Sequence, residues 1–143
     1  WMPAGALSRR RRPLPPPVTD EAEIERLVRA FYARIRADIE LAPLFEPVIG
    51  PDLEPHLRKM CAFWSSVMLT SGRYKGAPMQ AHLRLPGLRP AHFARWLALF
   101  RETADSICVP AVADAFMARA VRIAGSIEAA MFLSAPFTVS EPE

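Results

Sequence analysis

Prolines limit the regular structure that this chain can form. Fifteen of its 143 residues are prolines, and a proline inside a helix removes a hydrogen bond and clashes with the preceding turn. A proline in the first turn of a helix is tolerated. Between the prolines of the body, apolar residues recur at helical spacing, and no stretch alternates as a β-strand would. The pattern therefore predicts an all-α protein whose helices begin or end at prolines.

Four substantial helices are predicted. The first begins after Asp20, which can cap it together with Glu23 at the capping-box position, and it ends at Pro43. The other three are predicted from about residue 50 to Gly72, from Pro90, and from Pro110 to about Phe132.

The positive charge of the chain is concentrated near its start. The formal net charge is +3, but residues 9–12 are four consecutive arginines, so the chain from Asp20 onward is nearly neutral. We therefore expect a disordered Arg- and Pro-rich leader over 1–19, one domain over 20–133 and a flexible tail over 134–143. The nearly neutral body offers no basic face for nucleic acid.

Several classes of protein are excluded by what the sequence lacks. No apolar run has the length of a membrane span, and the arginine run is followed by prolines instead of the apolar core of a signal peptide. A cytoplasmic protein is expected. Cys61 and Cys108 lie far apart and form neither a disulfide framework nor a C-x-x-C motif.

Two histidines lie on apolar faces. His56 is one turn before Met60 in the second helix, and His82 lies in the short segment "PMQAHLRLP" between Pro78 and Pro86. A single inward histidine is more often a hydrogen-bonded core residue than a ligand, and a plain bundle with two core histidines is one reading. Two such residues on consecutive segments favour a slot that holds a ligand.

Haem is a better candidate for this slot than zinc. Zinc needs three or four protein ligands, and the third histidine, His92, has no pattern reason to face inward. Haem needs one strong axial ligand, an apolar cavity and groups for its propionates. The absence of a C-x-x-C-H motif indicates haem b, iron protoporphyrin IX, without covalent attachment.

Five motifs in order resemble the third group of truncated haemoglobins. They are "FY" at Phe31 and Tyr32, Phe45, "HLRKMCAFW" from His56, "RYKGAPMQAHLRLP" from Arg73, and "HFARWLALF" from His92. The likeness runs from about Ile24 to Phe132, and the chain lacks the Gly-Gly pairs of the other truncated haemoglobins. It implies a truncated globin, a two-over-two helical sandwich around a haem.

The resemblance also implies a role for particular residues. It makes His82 the proximal iron ligand and places Tyr32, His56 and Trp96 on the distal, gas-binding side. The expected wall residues are Phe31, Phe45, Met60, Phe63, Met79, Leu83, Leu85, Phe93 and Leu97. The groups that could reach the propionates are Arg73, Tyr74, Lys75 and Arg84, for which a solvated charge run is an equal alternative.

The function implied by the resemblance is binding of O2, NO and CO. Three polar groups around the gas favour oxygen, nitric-oxide or peroxide chemistry over simple transport, including nitric-oxide dioxygenase or peroxidase-like activity with an unidentified reductase. A monomer or weak dimer is expected. One alternative is a haem gas sensor or electron-transfer protein, and another is a haem-free helical interaction module that uses the basic leader.

Overall fold

The computed structural model describes residues 19–76 and 87–132. Within these two ranges the chain forms five helices and no strand, which confirms the all-α class. The helices are α1 (Glu21–Ala37), α2 (Ala42–Ile49), α3 (Glu54–Leu69), α4 (Pro90–Ile107) and α5 (Pro110–Phe132).

Helix α1 begins where its capping residues predict. The Asp20 carboxylate accepts a hydrogen bond from the Glu23 backbone N–H at 2.8 Å, which satisfies one of the free donors of the first turn. The Glu23 carboxylate accepts from the Thr19 hydroxyl at 2.6 Å. The apolar stripe of α1 is buried as its spacing predicts, and it consists of Ile24, Leu27, Val28, Phe31 and Ile35 together with Tyr32.

Helix α2 was not predicted. Pro43 lies in its first turn, so this proline opens a new helix. The expectation that Pro43 ends the first helix was wrong, because α1 already ends at Ala37. Gly50, at φ 83°, ends α2, and its N–H donates to the Glu46 carbonyl at 2.9 Å. Within the described residues, the four substantial helices expected from the sequence are therefore present, and α2 is a fifth, short one.

The long helices form two packed pairs. Helix α1 packs against α3, α4 packs along α5, and α1 also contacts α4 and α2. The interior between them is apolar, and its largest fully buried side chains include Phe31, Phe100 and Phe116. This is the two-over-two arrangement of a truncated globin. No helix of the described residues is long and apolar enough to cross a membrane.

Candidate functional site

A cavity of about 830 Å³ opens between the two helix pairs. All five helices and the loop after α3 contribute to its walls, which are mostly apolar. The volume lies within the range of cofactor and ligand pockets in proteins. The apolar part of the wall within the described residues includes Leu41, Phe45, Ile49, Met60, Phe63, Phe93, Ile123 and Ile127.

The rim of the cavity is cationic. Four exposed basic residues line it, and none of its described lining residues is acidic. Arg73 pairs with Glu21, whereas Arg58, Lys59 and Lys75 form no ion pair with another described residue. A mostly apolar cavity with a basic rim fits a large apolar molecule that carries anionic groups at its edge.

Most of the site residues expected from the sequence line this one cavity. They are Tyr32, Phe45, His56, Met60, Phe63, Arg73, Tyr74, Lys75, Phe93 and Trp96. Phe31 and Leu97 do not line it. Met79, His82, Leu83, Arg84 and Leu85 lie outside the described residues.

Tyr32 and His56 meet at the cavity wall. Their ring centroids are 4.8 Å apart at an interplanar angle of 81°, an edge-to-face contact between α1 and α3. Tyr32 is only 6% exposed, and burial raises the pKa of its phenol. The phenol therefore stays protonated at neutral pH and remains a hydrogen-bond donor.

Trp96 is held between aromatic rings. It stacks on Phe100 with centroids 5.5 Å apart and planes 3° apart, and Phe100 stacks on Trp64 at 5.1 Å and 17°. Phe31 contacts the rings of Tyr32 and Trp96 edge-on, at 5.3 Å and 5.2 Å. The Phe31 ring is itself buried, so it supports the two lining residues Tyr32 and Trp96 from behind.

The loop after α3 brings Tyr74 to the cavity. Its backbone N–H donates to the Ser66 hydroxyl at 2.8 Å, and its ring lies edge-on to Phe63 with centroids 5.2 Å apart. Burial raises the pKa of the Tyr74 phenol. A Cβ at Gly76 would collide with the Tyr74 hydroxyl, so a larger residue at that point would force the Tyr74 ring to move.

His92 lines the cavity, although the sequence pattern gave no reason for it to face inward. It lies in the first turn of α4, and its Nδ1 accepts a hydrogen bond from the Arg89 backbone N–H at 2.9 Å. The neutral ring then carries its proton on Nε2, which is a donor. The available signal was the spacing to Trp96, since residues four apart lie on the same helix face.

Other lining residues could be found from the sequence only in part. Ile123 and Ile127 belong to the predicted apolar stripe of α5, but that stripe does not distinguish core contacts from a cavity wall. Val48 and Ile49 lie on α2, the helix that was not predicted. Among the described residues, no group of three or more histidine, cysteine and acidic side chains could hold a metal ion alone.

Comparisons with known proteins agree with this geometry. The family model of the bacterial-like globins matches residues 18–128. A group 3 truncated haemoglobin of Campylobacter jejuni is 31% identical over 112 residues, which span 76% of this chain and 88% of that protein. The crystal structure of a group III truncated haemoglobin from Campylobacter jejuni superimposes with a TM-score of 0.78 at 29% identity, covering 80% of this chain and 93% of the other. The chain therefore belongs to the bacterial-like globins, a family of haem proteins that bind diatomic gases, and within it to the group III truncated haemoglobins.

Proposed function

We propose that the cavity holds haem b and that the protein binds O2, NO and CO there for oxygen, nitric-oxide or peroxide chemistry rather than for simple transport. The haem would supply an iron that coordinates diatomic gases and changes its oxidation state. The observation that carries the proposal is a pair of hydrogen-bond donors, the buried Tyr32 and the partly buried Trp96, on the wall of one large apolar cavity.

The described residues fit this group. Phe45, Met60, Phe63 and Phe93 would pack against the porphyrin. The rim cations would meet its two carboxylates, since charge-assisted hydrogen bonds from Lys and Arg are the usual partners of such groups. Those cations are Arg58, Lys59, Arg73 and Lys75.

The three histidines differ in what they can offer an iron ion. An axial histidine gives the lone pair of one ring nitrogen and donates the N–H of the other. The Nδ1 lone pair of His92 already accepts the hydrogen bond from the Arg89 N–H. Its Nε2 therefore carries the proton and has no lone pair to give to the iron. His56 contacts Tyr32 and would lie with it on the gas side. We therefore assign the iron to His82, as the likeness to truncated haemoglobins implies.

Tyr32 and Trp96 would control how firmly a gas is held. No described residue accepts a hydrogen bond from the Tyr32 hydroxyl or the Trp96 indole N–H, and both rings line the cavity. A donor directed at a polar ligand in a dry pocket slows its release, whereas a carrier must release its ligand readily. The two donors, with His56 beside them, therefore favour retention of O2 and further chemistry on it.

The first test is the cofactor itself. Protein purified from cells supplied with haem precursor should show a Soret band, and the pyridine haemochrome spectrum should give one haem b for each chain. The oxygenated protein should then consume NO and release nitrate. Protein without a Soret band would contradict the haem site and leave the haem-free interaction module. A haem-bound protein that releases O2 rapidly and yields no nitrate would contradict the proposed chemistry.

A further inference from the structure

Arg73 is held at the cavity rim by one contact to another helix and one within its own loop. It lies on the loop after α3 and lines the cavity, and its Nη1 pairs with the carboxylate of Glu21 in the first turn of α1. Its backbone N–H donates to the Ser71 hydroxyl at 3.3 Å. Both the backbone and the guanidinium of Arg73 are therefore held.

The holding groups are connected through a buried serine. Ser65, which is 0% exposed, donates to Glu21 Oε2 at 2.6 Å, and its Oγ lies 2.7 Å from that of Ser71. The hydrogen bonds can run in one direction, from the Arg73 N–H to Ser71, from Ser71 to Ser65, and from Ser65 to Glu21. We call these four residues, Glu21, Ser65, Ser71 and Arg73, the Glu21 cluster.

The cluster uses only part of the Arg73 guanidinium. Nη1 is bound to Glu21, and no described residue accepts a hydrogen bond from Nε or Nη2. A guanidinium held on one side can present its other N–H groups to a carboxylate at lower entropic cost than a free side chain. Because Arg73 lies at the rim, a carboxylate of a haem bound in the cavity would come within its reach.

We propose that Glu21 is a positioning residue that holds Arg73 at the rim, where the guanidinium meets a carboxylate of the bound cofactor and slows its loss. The inference rests on the proposed function, in which the cavity binds haem. It differs from a stabilising surface pair because the effect of Glu21 passes through Arg73 to the cofactor.

The chain offers a matched control on the same helix. Glu25 lies one turn after Glu21 and pairs with Arg29 at 2.9 Å. The side chains of the two pairs are exposed to similar degrees, 50% and 47% for Glu21 and Arg73 against 55% and 43% for Glu25 and Arg29. Neither Glu25 nor Arg29 lines the cavity.

The experiment is a double-mutant cycle on haem loss. Transfer of haem to excess apomyoglobin is timed for the wild type, Glu21→Gln, Arg73→Gln, the double variant and Glu25→Gln. Glu21→Gln should lose haem about two- to fivefold faster, the range of a half-exposed ion pair, and added salt should speed the wild type more than this variant. In the Arg73→Gln background the Glu21 substitution should add nothing, and Glu25→Gln should match the wild type.

A second measurement tests directly how firmly the loop after α3 is held. Trypsin cleavage after Lys75, followed on each protein as purified, should be faster in Glu21→Gln than in Glu25→Gln, while the melting temperatures of these two variants stay close. Unchanged haem loss in Glu21→Gln, slower loss, or an equal effect with and without Arg73 would overturn the inference. A wild type without haem would contradict the proposed function instead, and equal cleavage of the two variants would then overturn the positioning role as well.

Discussion

At the scale of single residues, Phe31 explains how two distant donors come to one wall. Its ring is buried on α1 against Tyr32 and Trp96, and unlike these two it does not line the cavity. Its edge-on contacts fix both rings instead, each such pair contributing about 0.5–1.5 kcal/mol beyond burial. The donors are thus held by packing, so they need little reordering when a gas binds.

Removal of either donor should speed the release of O2. A hydrogen bond to a partly charged acceptor contributes about 1.5–3 kcal/mol, so Tyr32→Phe and Trp96→Phe should each raise the O2 dissociation rate by roughly 10- to 150-fold. CO release should change much less, because bound CO is less polar. The double variant should lose less than the sum, since two donors share one acceptor.

Stopped-flow measurement of O2 and CO release from the four proteins of this cycle checks the prediction. Tyr74→Phe is the control, because Tyr74 also lines the cavity but lies on the rim loop against Phe63. Off-rates near the wild type in both single variants would mean that Tyr32 and Trp96 act only in packing.

At the scale of helices, Asp38 joins three elements at the end of α1. Its carboxylate accepts from the backbone N–H groups of Glu40 and Leu41 at 3.1 and 3.0 Å, and from Arg95 of α4 at 2.6 Å. The hydrogen bonds from Arg95 hold the pKa of Asp38 below its usual value. The turn that leads into α2 is therefore formed by a side chain and not by the proline that follows it.

This turn shows why α2 was missed when the four long helices were found. The long helices are predicted by repeated apolar spacing within each segment, which is a local signal. Pro43 is ambiguous by itself, because a proline can end one helix or open the next. What decides is the contact of Asp38 with Arg95, which depends on how α1 and α4 pack.

Acid should lower the stability of the wild type more than that of a variant without the Asp38 carboxylate. The folded-state pKa of Asp38 is lowered, so the charged form contributes stability above the unfolded value of about 4, and the contribution is lost as the pH falls below it. Asp38→Asn should lower the melting temperature at neutral pH. Between about pH 5 and pH 2 its melting temperature should fall less than that of the wild type.

Thermal unfolding across this pH range, followed by circular dichroism, is the measurement. Asp114→Asn is the control, because Asp114 pairs with Arg101 at 2.9 Å but its side chain is 67% exposed. Parallel melting curves for the wild type and Asp38→Asn at every pH would show that Asp38 contributes nothing to the acid sensitivity.

At the scale of the whole molecule, the cavity is a product of all five helices. Each of the four long helices buries apolar residues of its own, but the space left between the two pairs depends on how they cross. The sequence could therefore predict aromatic and histidine side chains for a ligand slot. It could not separate Phe31, which lies behind the wall, from Phe93, which is on it, because both lie on apolar helix faces.

A cofactor bound among all five helices should also stabilise the fold. A ligand that binds only the native state adds RT ln(1 + [L]/Kd), about 3–4 kcal/mol at 100 to 1,000 times Kd, which corresponds to about 10 °C in a domain of this size. His82→Ala should lose stable haem and with it this increment. Added imidazole should restore part of both, because it can replace the missing iron ligand.

His92→Ala gives the matched comparison, since it removes the histidine that has no assigned role at the iron, together with the acceptor for the Arg89 N–H. The loss of this cap should cost about 1 kcal/mol, a few degrees, with the Soret and visible bands unchanged because His92 has no lone pair left for iron. Absorption spectra and melting curves of the two variants, with and without imidazole, decide between them. Retention of a normal ferrous spectrum by His82→Ala together with its loss in His92→Ala would reverse the assignment and require the Arg89–His92 hydrogen bond to break when the haem binds.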